Sequence, residues 1–373
     1  DTVTYREPLG VFAGISPFNF PGMIPMGWMV PICIATGNTI VVKAASKTPL
    51  TAIRCAELWQ EAGLPDGVLN IVTCTRHESE QFLTHPDIKG ICFVGTSSVG
   101  KHIYGIAASH GKRVQAQTEA KNHALVMADA DLERTARSII NSAFGCAGER
   151  CMALPVVCVQ ESVADKLVEL VVKFAKELKI GPAYDKTTDL GPLVDAAHKA
   201  RVSGWIDKGV EEGATLVLDG RNVVVPRYEN GFYLGPTIFD NVTPGMSIGD
   251  EEIFGPVLCI KRVKNFEEGL AVMNGNQFAN GSVIYTQSGY YAREFAYRTD
   301  GGQVGVNVGI PVPVGIFAFS GHKESFYGDL HCLGKDGVRF FTEVKAVTTH
   351  WFDAEERPSG KVDTWEGSVG GSM

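Results

Sequence analysis

Cys151 lies in the run Ser142-Ala-Phe-Gly-Cys-Ala-Gly-Glu-Arg-Cys-Met-Ala-Leu154 and stands directly behind Arg150. A thiol becomes a good nucleophile when it loses its proton, and a guanidinium beside it favours the thiolate. Gly145 and Gly148 punctuate the approach, so the chain should turn there and could present the sulfur to a ligand. Free cysteine is also among the most buried residue types. From the turn alone, a reactive thiol and a small core residue are equally good readings. Two other stretches could do chemistry. Gly95-x-x-x-x-Gly100, followed by Lys101, could offer backbone N–H groups to an anion at a helix start. It lacks the Ser or Thr of a P-loop and is not Gly-x-Gly-x-x-Gly, so an ordinary strand-to-helix turn is the commoner reading. Asp250-Glu-Glu-Ile-Phe-Gly-Pro256 is an acidic turn whose carboxylates could hold ligand hydroxyls, although solvated loop acids usually do no such work.

The elements around these residues follow from periodicity. Leu132, Ala136, Ile139, Ile140, Ala143 and Phe144 recur at helical spacing, which predicts a helix that ends at Gly145 and is capped by Asp129 or Asp131. Before it, near-continuous apolar strands are predicted at Val11–Ile15, Thr39–Lys43, 67–72 and 90–95, with Arg113–Gln117 after them. They alternate with helices over 49–62, 81–85 and 96–109. That alternation indicates α/β architecture with a doubly wound parallel sheet, which binds ligands outside the carboxyl ends of its strands. Lys43, Gly95 and Thr96 fall at such ends. A second α/β segment is predicted from strands at 155–159, 232–234, 257–260, 281–285 and 303–308, with a helix over 163–178. The stretch 338–349 is rich in β-formers, so a late strand is expected there and could complete a neighbouring chain's sheet.

Composition narrows the classes. A chain of 373 residues with 42 glycines suits two or three domains. The net charge of −8 and the lack of a basic block argue against nucleic acid as a partner. The nine cysteines are scattered without disulfide or zinc spacing, so no metal is expected and a reducing compartment is. No signal peptide or membrane span is visible. The apolar run 23–35 is broken by Pro25 and Pro31 and is too short to cross a bilayer.

Taken together, the motifs resemble the aldehyde dehydrogenase superfamily. The matches are Glu7-Pro-Leu-Gly-Val11, Ser16-Pro-Phe-Asn-Phe-Pro21, Lys43 with Thr48-Pro-Leu-Thr-Ala52, Phe93-Val-Gly-Thr96, Gly148-x-x-Cys151 and Glu252-Ile-Phe-Gly-Pro256. They run in family order over nearly the whole chain. Lys121-Asn-His123, Gly148-Glu-Arg-Cys-Met-Ala153, Pro311-Val-Pro313 and the region 328–351 look most like the methylmalonate-semialdehyde dehydrogenases. Those enzymes oxidise methylmalonate or malonate semialdehyde with NAD, release carbon dioxide and deliver propionyl or acetyl to coenzyme A.

The resemblance implies a Rossmann-type cofactor domain over 1–120 and a catalytic α/β domain over 121–330. It further implies a C-terminal strand over 331–354 making an oligomer contact, and a polar tail over 355–373. Cys151 would be the nucleophile, with Asn19 stabilising the oxyanion and Arg150 receiving the substrate carboxylate. Phe18, Lys43, Ser46, Lys47, Gly95, Thr96, Glu252 and Phe254 would surround the cofactor. The partners implied are a small semialdehyde and a second copy of the chain, as dimer or tetramer, in the cytoplasm or, in a eukaryote, the mitochondrial matrix.

The sequence departs from the family pattern at four places. The family's N-terminal portion, with a second carboxylate-binding arginine, is not matched. Gln117 stands where hydrolytic relatives place a glutamate base, which agrees with thiolysis by coenzyme A. Thr118 and Glu119 occupy a segment where glycine is usual near the nicotinamide; they would crowd it, or Glu119 would serve as a displaced base. Ser46 with Lys47 replaces a glutamate that favours NAD, and the pair could accept a 2′-phosphate, so NADP is also compatible. A hydrolytic aldehyde dehydrogenase and an inactive structural homologue are the competing expectations.

Overall fold

A computed structural model describes residues 1–351; the polar tail over 355–373 lies outside the described residues. Two parallel-rich sheets carry the architecture. The first has the spatial order Phe326–Gly328, Arg113–Gln117, Ile88–Val94, Val11–Ile15, Thr39–Lys43, Leu69–Val72. All its pairings are parallel except that of Phe326–Gly328. The second runs Gln303–Val306, Gly281–Tyr285, His123–Val126, Val156–Gln160, Val257–Val263, Thr237–Asp240, Thr215–Leu218. Only its last pairing is antiparallel. His123–Val126 and Gly281–Tyr285 are buried throughout, as central strands with helices on both faces must be. We propose a division between the two sheets near residue 120, with the Phe326–Gly328 strand crossing back to the first.

The helix expected before Cys151 spans Leu132–Phe144 and buries Ala136, Ile139, Ile140, Ala143 and Phe144. Asp131 is its cap, accepting the Arg134 N–H at 3.2 Å. Asp129 instead accepts from Thr286 Oγ1 and the Gln287 N–H.

Two predicted strands are corrected. Residues 232–234 belong to no strand, the Phe232 carbonyl instead accepting the Leu193 N–H at 3.0 Å, and sheet pairing begins at Thr237. The late strand expected over 338–349 is a helix, Gly334–Phe341, followed by a shorter strand, Thr342–Thr348. The physical reason lies in two adjacent aromatics. Phe340 and Phe341 are both buried against Phe12, with ring centroids 5.6 and 4.7 Å from it. A strand would turn one of them outward. Within the chain, Thr342–Thr348 pairs antiparallel with Thr2–Pro8, forming an exposed two-stranded ribbon that sequence patterning did not reveal.

Candidate active site

The turn after Leu132–Phe144 reverses through three successive left-handed residues, Cys146 (φ 53°), Ala147 (φ 54°) and Gly148 (φ 72°). A β-carbon at Gly148 would lie 2.2 Å from the Gly255 carbonyl oxygen. Only glycine permits that approach, and it seats the turn directly on the 252–256 loop. Beyond it, two buried amides fix the backbone at Cys151. Asn122 Nδ2 donates to the carbonyls of Cys151 (2.9 Å) and Ala153 (2.7 Å), while its Oδ1 accepts the Gly281 N–H at 2.7 Å. Asn280 Nδ2 donates to the same Cys151 carbonyl at 3.1 Å. Asn19 arrives from the loop after the first-sheet strand Val11–Ile15, and its Nδ2 donates to the Glu149 carbonyl at 2.9 Å. The thiol thus sits where a loop of one sheet meets a turn belonging to the other.

The electrostatics differ from the sequence expectation. Burial pushes the Cys151 thiol up to about 12, the Glu252 carboxyl adds to that, and the Cys151 and Met152 N–H groups oppose it only in part. Cys151 therefore carries its proton at neutral pH. The expected guanidinium partner is elsewhere, because Arg150 folds back over Gly145. Its Nε donates to Cys146 Sγ at 3.2 Å and its Nη1 to the Asn141 carbonyl at 3.3 Å. The left-handed turn causes this: by reversing the chain it brings Arg150 against Gly145, where a β-carbon would lie 2.6 Å from the guanidinium. Glu252 is pushed up to about 8, chiefly by burial and further by Glu119, while the Ala120 N–H, 2.9 Å from Oε1, holds it down in part.

On the cofactor side, the structure brings together much of the expected set. Lys43 ends its strand and lines a cavity of about 100 Å³ with Glu80 and Val99; its ammonium makes no hydrogen bond or ion pair among the described residues. Phe18 and Phe254 meet edge to face at 5.9 Å, and Phe254 holds a left-handed φ of 59°. Gly95 precedes Thr96, which is the cap of the helix Ser97–Ser109 but makes no side-chain capping bond. That bond comes from Glu119, whose Oε2 accepts the Ser97 N–H at 2.7 Å. Ser46 is exposed. Lys47, expected to be free for a 2′-phosphate, is salt-bridged to Asp195 and lies over the Phe18 ring, 5.7 Å from its centroid. Gln117 is buried, its Nε2 facing Cys332 Sγ at 3.8 Å and its Oε1 without a partner among the described residues.

Sequence reasoning missed four residues. Asn122 stands out in the sequence only inside a family motif, and Asn280 does not stand out, since a lone amide gives no local signal. Glu149, buried, and His198, half-buried, form a pair with Oε1 and Nε2 3.3 Å apart, contributed by segments 49 residues apart in the chain.

The model of the aldehyde dehydrogenase family matches residues 1–347. Malonate-semialdehyde dehydrogenase 1 of Oceanobacillus iheyensis is 51% identical over 352 residues, covering 94% of this chain and 72% of its own length. Malonate-semialdehyde dehydrogenase 2 of Geobacillus kaustophilus is 53% identical over 347 residues, covering 93% and 71%. A Sinorhizobium meliloti protein, assigned as a methylmalonate-semialdehyde dehydrogenase and solved in complex with NAD, superposes with a TM-score of 0.93. Its identity is 44%, over 95% of this chain and 72% of that one. The methylmalonate-semialdehyde dehydrogenase of Oceanimonas doudoroffii superposes equally well, at 42% identity and the same coverage.

Proposed function

From the premise that this chain belongs to the aldehyde dehydrogenase family, we propose that it oxidises malonate or methylmalonate semialdehyde with NAD. The acyl group passes to coenzyme A with loss of carbon dioxide. The relatives named for these two semialdehydes support the substrate. The observation that carries the acyl acceptor is the state of the 117–119 segment. Gln117 is an amide and takes up no proton, and the Glu119 carboxylate is committed to the Ser97 N–H. Neither activates water at Cys151, so a thiol acceptor completes the cycle.

The chain's own residues take the following roles. The Cys151 thiolate attacks the aldehyde carbon, forming the carbon–sulfur bond of a hemithioacetal. Since the thiol is pushed up to about 12, loss of its proton is the pH-sensitive step. Asn19 has one amide N–H left after its bond to the Glu149 carbonyl; with the Cys151 N–H it stabilises the oxyanion, at roughly 3 kcal/mol per donor. To receive the substrate carboxylate, Arg150 would leave Cys146 Sγ and the Asn141 carbonyl, its partners in this structure. A dinucleotide held here would supply the hydride acceptor that conversion of the hemithioacetal into a thioester requires, the hydroxyl proton leaving to solvent. The residues present fit it: the Lys43 ammonium, which has no partner among the described residues, and Glu252, with one oxygen on Ala120, suit ribose hydroxyls, and Phe18 and Phe254 form an aromatic wall. Thr96 and Gly95 would lie at the diphosphate. The Lys47–Asp195 pair favours NAD over NADP, because the cation beside Ser46 is already neutralised. Loss of carbon dioxide leaves its electron pair on the adjacent carbon, which takes a proton, and attack by the coenzyme A thiol on the thioester carbonyl then expels the Cys151 thiolate.

The exposed ribbon of Thr2–Pro8 and Thr342–Thr348 offers an edge to a second copy, so a homo-oligomer, dimer or tetramer, is part of the reading. No helix among the described residues is long and apolar enough to cross a membrane. All nine cysteines are free, which suits the cytoplasm or a mitochondrial matrix. The test is mass spectrometry of acyl-coenzyme A formed from each semialdehyde, with and without NAD. Acetyl- or propionyl-coenzyme A forming only with NAD, and not in Cys151→Ser, supports the proposal. Steady formation of free acid without coenzyme A overturns it.

A further inference from the structure

The carboxyl of Glu149 is two residues from Cys151, buried, and absent from the chemistry described above. Its Oε1 accepts the Val194 N–H at 3.3 Å and faces His198 Nε2 at the same distance. His198 Nε2 also lies 2.7 Å from the Phe254 carbonyl. A carbonyl only accepts, so Nε2 carries a hydrogen, and that N–H is shared between Phe254 and Glu149. One turn on, Arg201 Nη2 donates to the Ile253 carbonyl at 2.7 Å. The helix Ala196–Glu211 therefore holds the 252–254 loop through two side chains and reaches the cysteine turn through Glu149. On the other side of Glu149, its own carbonyl receives Asn19. The turn, the oxyanion amide and the cofactor loop converge on this one residue.

We propose that Glu149 and His198 are a proton-dependent positioning pair, which braces the Cys151 turn against the 252–254 loop when Glu149 is ionised and loosens it when Glu149 is protonated. The proposal rests on the reading of Cys151 as the nucleophile. An ionised carboxylate accepts the Val194 and His198 N–H groups more strongly than a neutral carboxyl does, so the turn tightens as pH rises. The charged groups facing the pair are Asp195 and Lys47, themselves ion-paired, and Arg201. Burial raises Glu149 to about 7, Asp195 adds to that, and the Val194 N–H and Lys47 oppose it. Burial lowers His198, the Phe254 carbonyl and Asp195 oppose that, and Arg201 and Lys47 add to it, so the surroundings disfavour the imidazolium.

The test is the rate of Cys151 alkylation by iodoacetamide, followed site by site by peptide mass spectrometry from pH 5.5 to 9. Thiolate chemistry alone gives tenfold per pH unit. The wild-type chain should fall about fivefold short of that line across pH 6 to 8, the weight of roughly one hydrogen bond. Glu149→Gln, isosteric and unable to ionise, should restore the full slope. Glu252 also ionises in this range but is untouched in that variant, so the difference between the two profiles belongs to Glu149. His198→Phe removes the N–H that favours the carboxylate and should move the shortfall to higher pH. A straight wild-type profile, an identical profile in Glu149→Gln, or an unmoved midpoint in His198→Phe overturns the proposal. The nucleophile reading fails separately, if Cys151→Ser keeps turnover.

Discussion

Replacing Asn122 with alanine removes three hydrogen bonds at once, those to the Cys151 carbonyl, to the Ala153 carbonyl and from the Gly281 N–H. Their fates differ. The Cys151 carbonyl keeps its bond from Asn280 at 3.1 Å, so it stays satisfied. The Ala153 carbonyl and the Gly281 N–H are left without that partner in a site where Asn122 itself is only 4% exposed. A buried polar group left unsatisfied costs about 1–3 kcal/mol, so Asn122→Ala should lose roughly 2–6 kcal/mol of stability. Asn280→Ala is milder. The Cys151 carbonyl then keeps Asn122, and the other losses are a contact to Met152 Sδ and the bond from Gln303 Nε2, so about 1–2 kcal/mol is expected. Because the two amides share an acceptor, the double variant should lose more than the sum of the single losses. Equilibrium urea unfolding of the three variants measures this, with Cys151 alkylation under native conditions reporting whether the turn has loosened. An Asn122→Ala loss below about 0.5 kcal/mol, the range of an ordinary surface change, or losses equal in both single variants, would refute the view that these amides hold the nucleophile's backbone.

Four further outcomes are expected. Alkylation of Cys151 should keep rising beyond pH 9, since the thiol is pushed up to about 12; a plateau below pH 8 contradicts that burial. Glu149 has its folded value raised from 4.5 to about 7, so the stability it contributes is complete below about pH 4.5 and is lost as pH rises through 7. Glu149→Gln should therefore gain on wild type by up to about 3 kcal/mol at pH 8 relative to pH 4, and an equal or opposite pH trend in denaturant midpoints would sink this. Asp195→Asn keeps the helix cap at the His198 N–H but frees Lys47, so NADP affinity should rise against NAD in binding titrations; an unchanged ratio rejects the role given to that ion pair. Glu119→Gly removes a carboxylate from the start of Ser97–Ser109 and should tighten NAD binding by about tenfold, or 1.4 kcal/mol, whereas weaker binding would show that Glu119 is part of the site.

What the sequence determined by itself is what short-range physics encodes. The helix into the cysteine turn is legible because Ala136, Ile139, Ile140 and Ala143 recur at helical spacing and Asp131 can cap them. The strand series is legible because buried parallel strands are nearly continuous in apolar residues, and the ordered motifs identify the family. Tertiary structure decided the rest. Whether Arg150 faces Cys151 depends on three left-handed residues and the approach of Gly148 to Gly255, which no local pattern announces. Phe340 and Phe341 read as β-formers, yet both pack on Phe12 from a helix, because burying two large rings outweighs a propensity difference of under about 1 kcal/mol. The pairing of Glu149 with His198, the convergence of Asn122 and Asn280 on one carbonyl, and the capture of Lys47 by Asp195 join residues distant in sequence. Their energies come from burial and from the partner across the gap, so they exist only once the chain has folded.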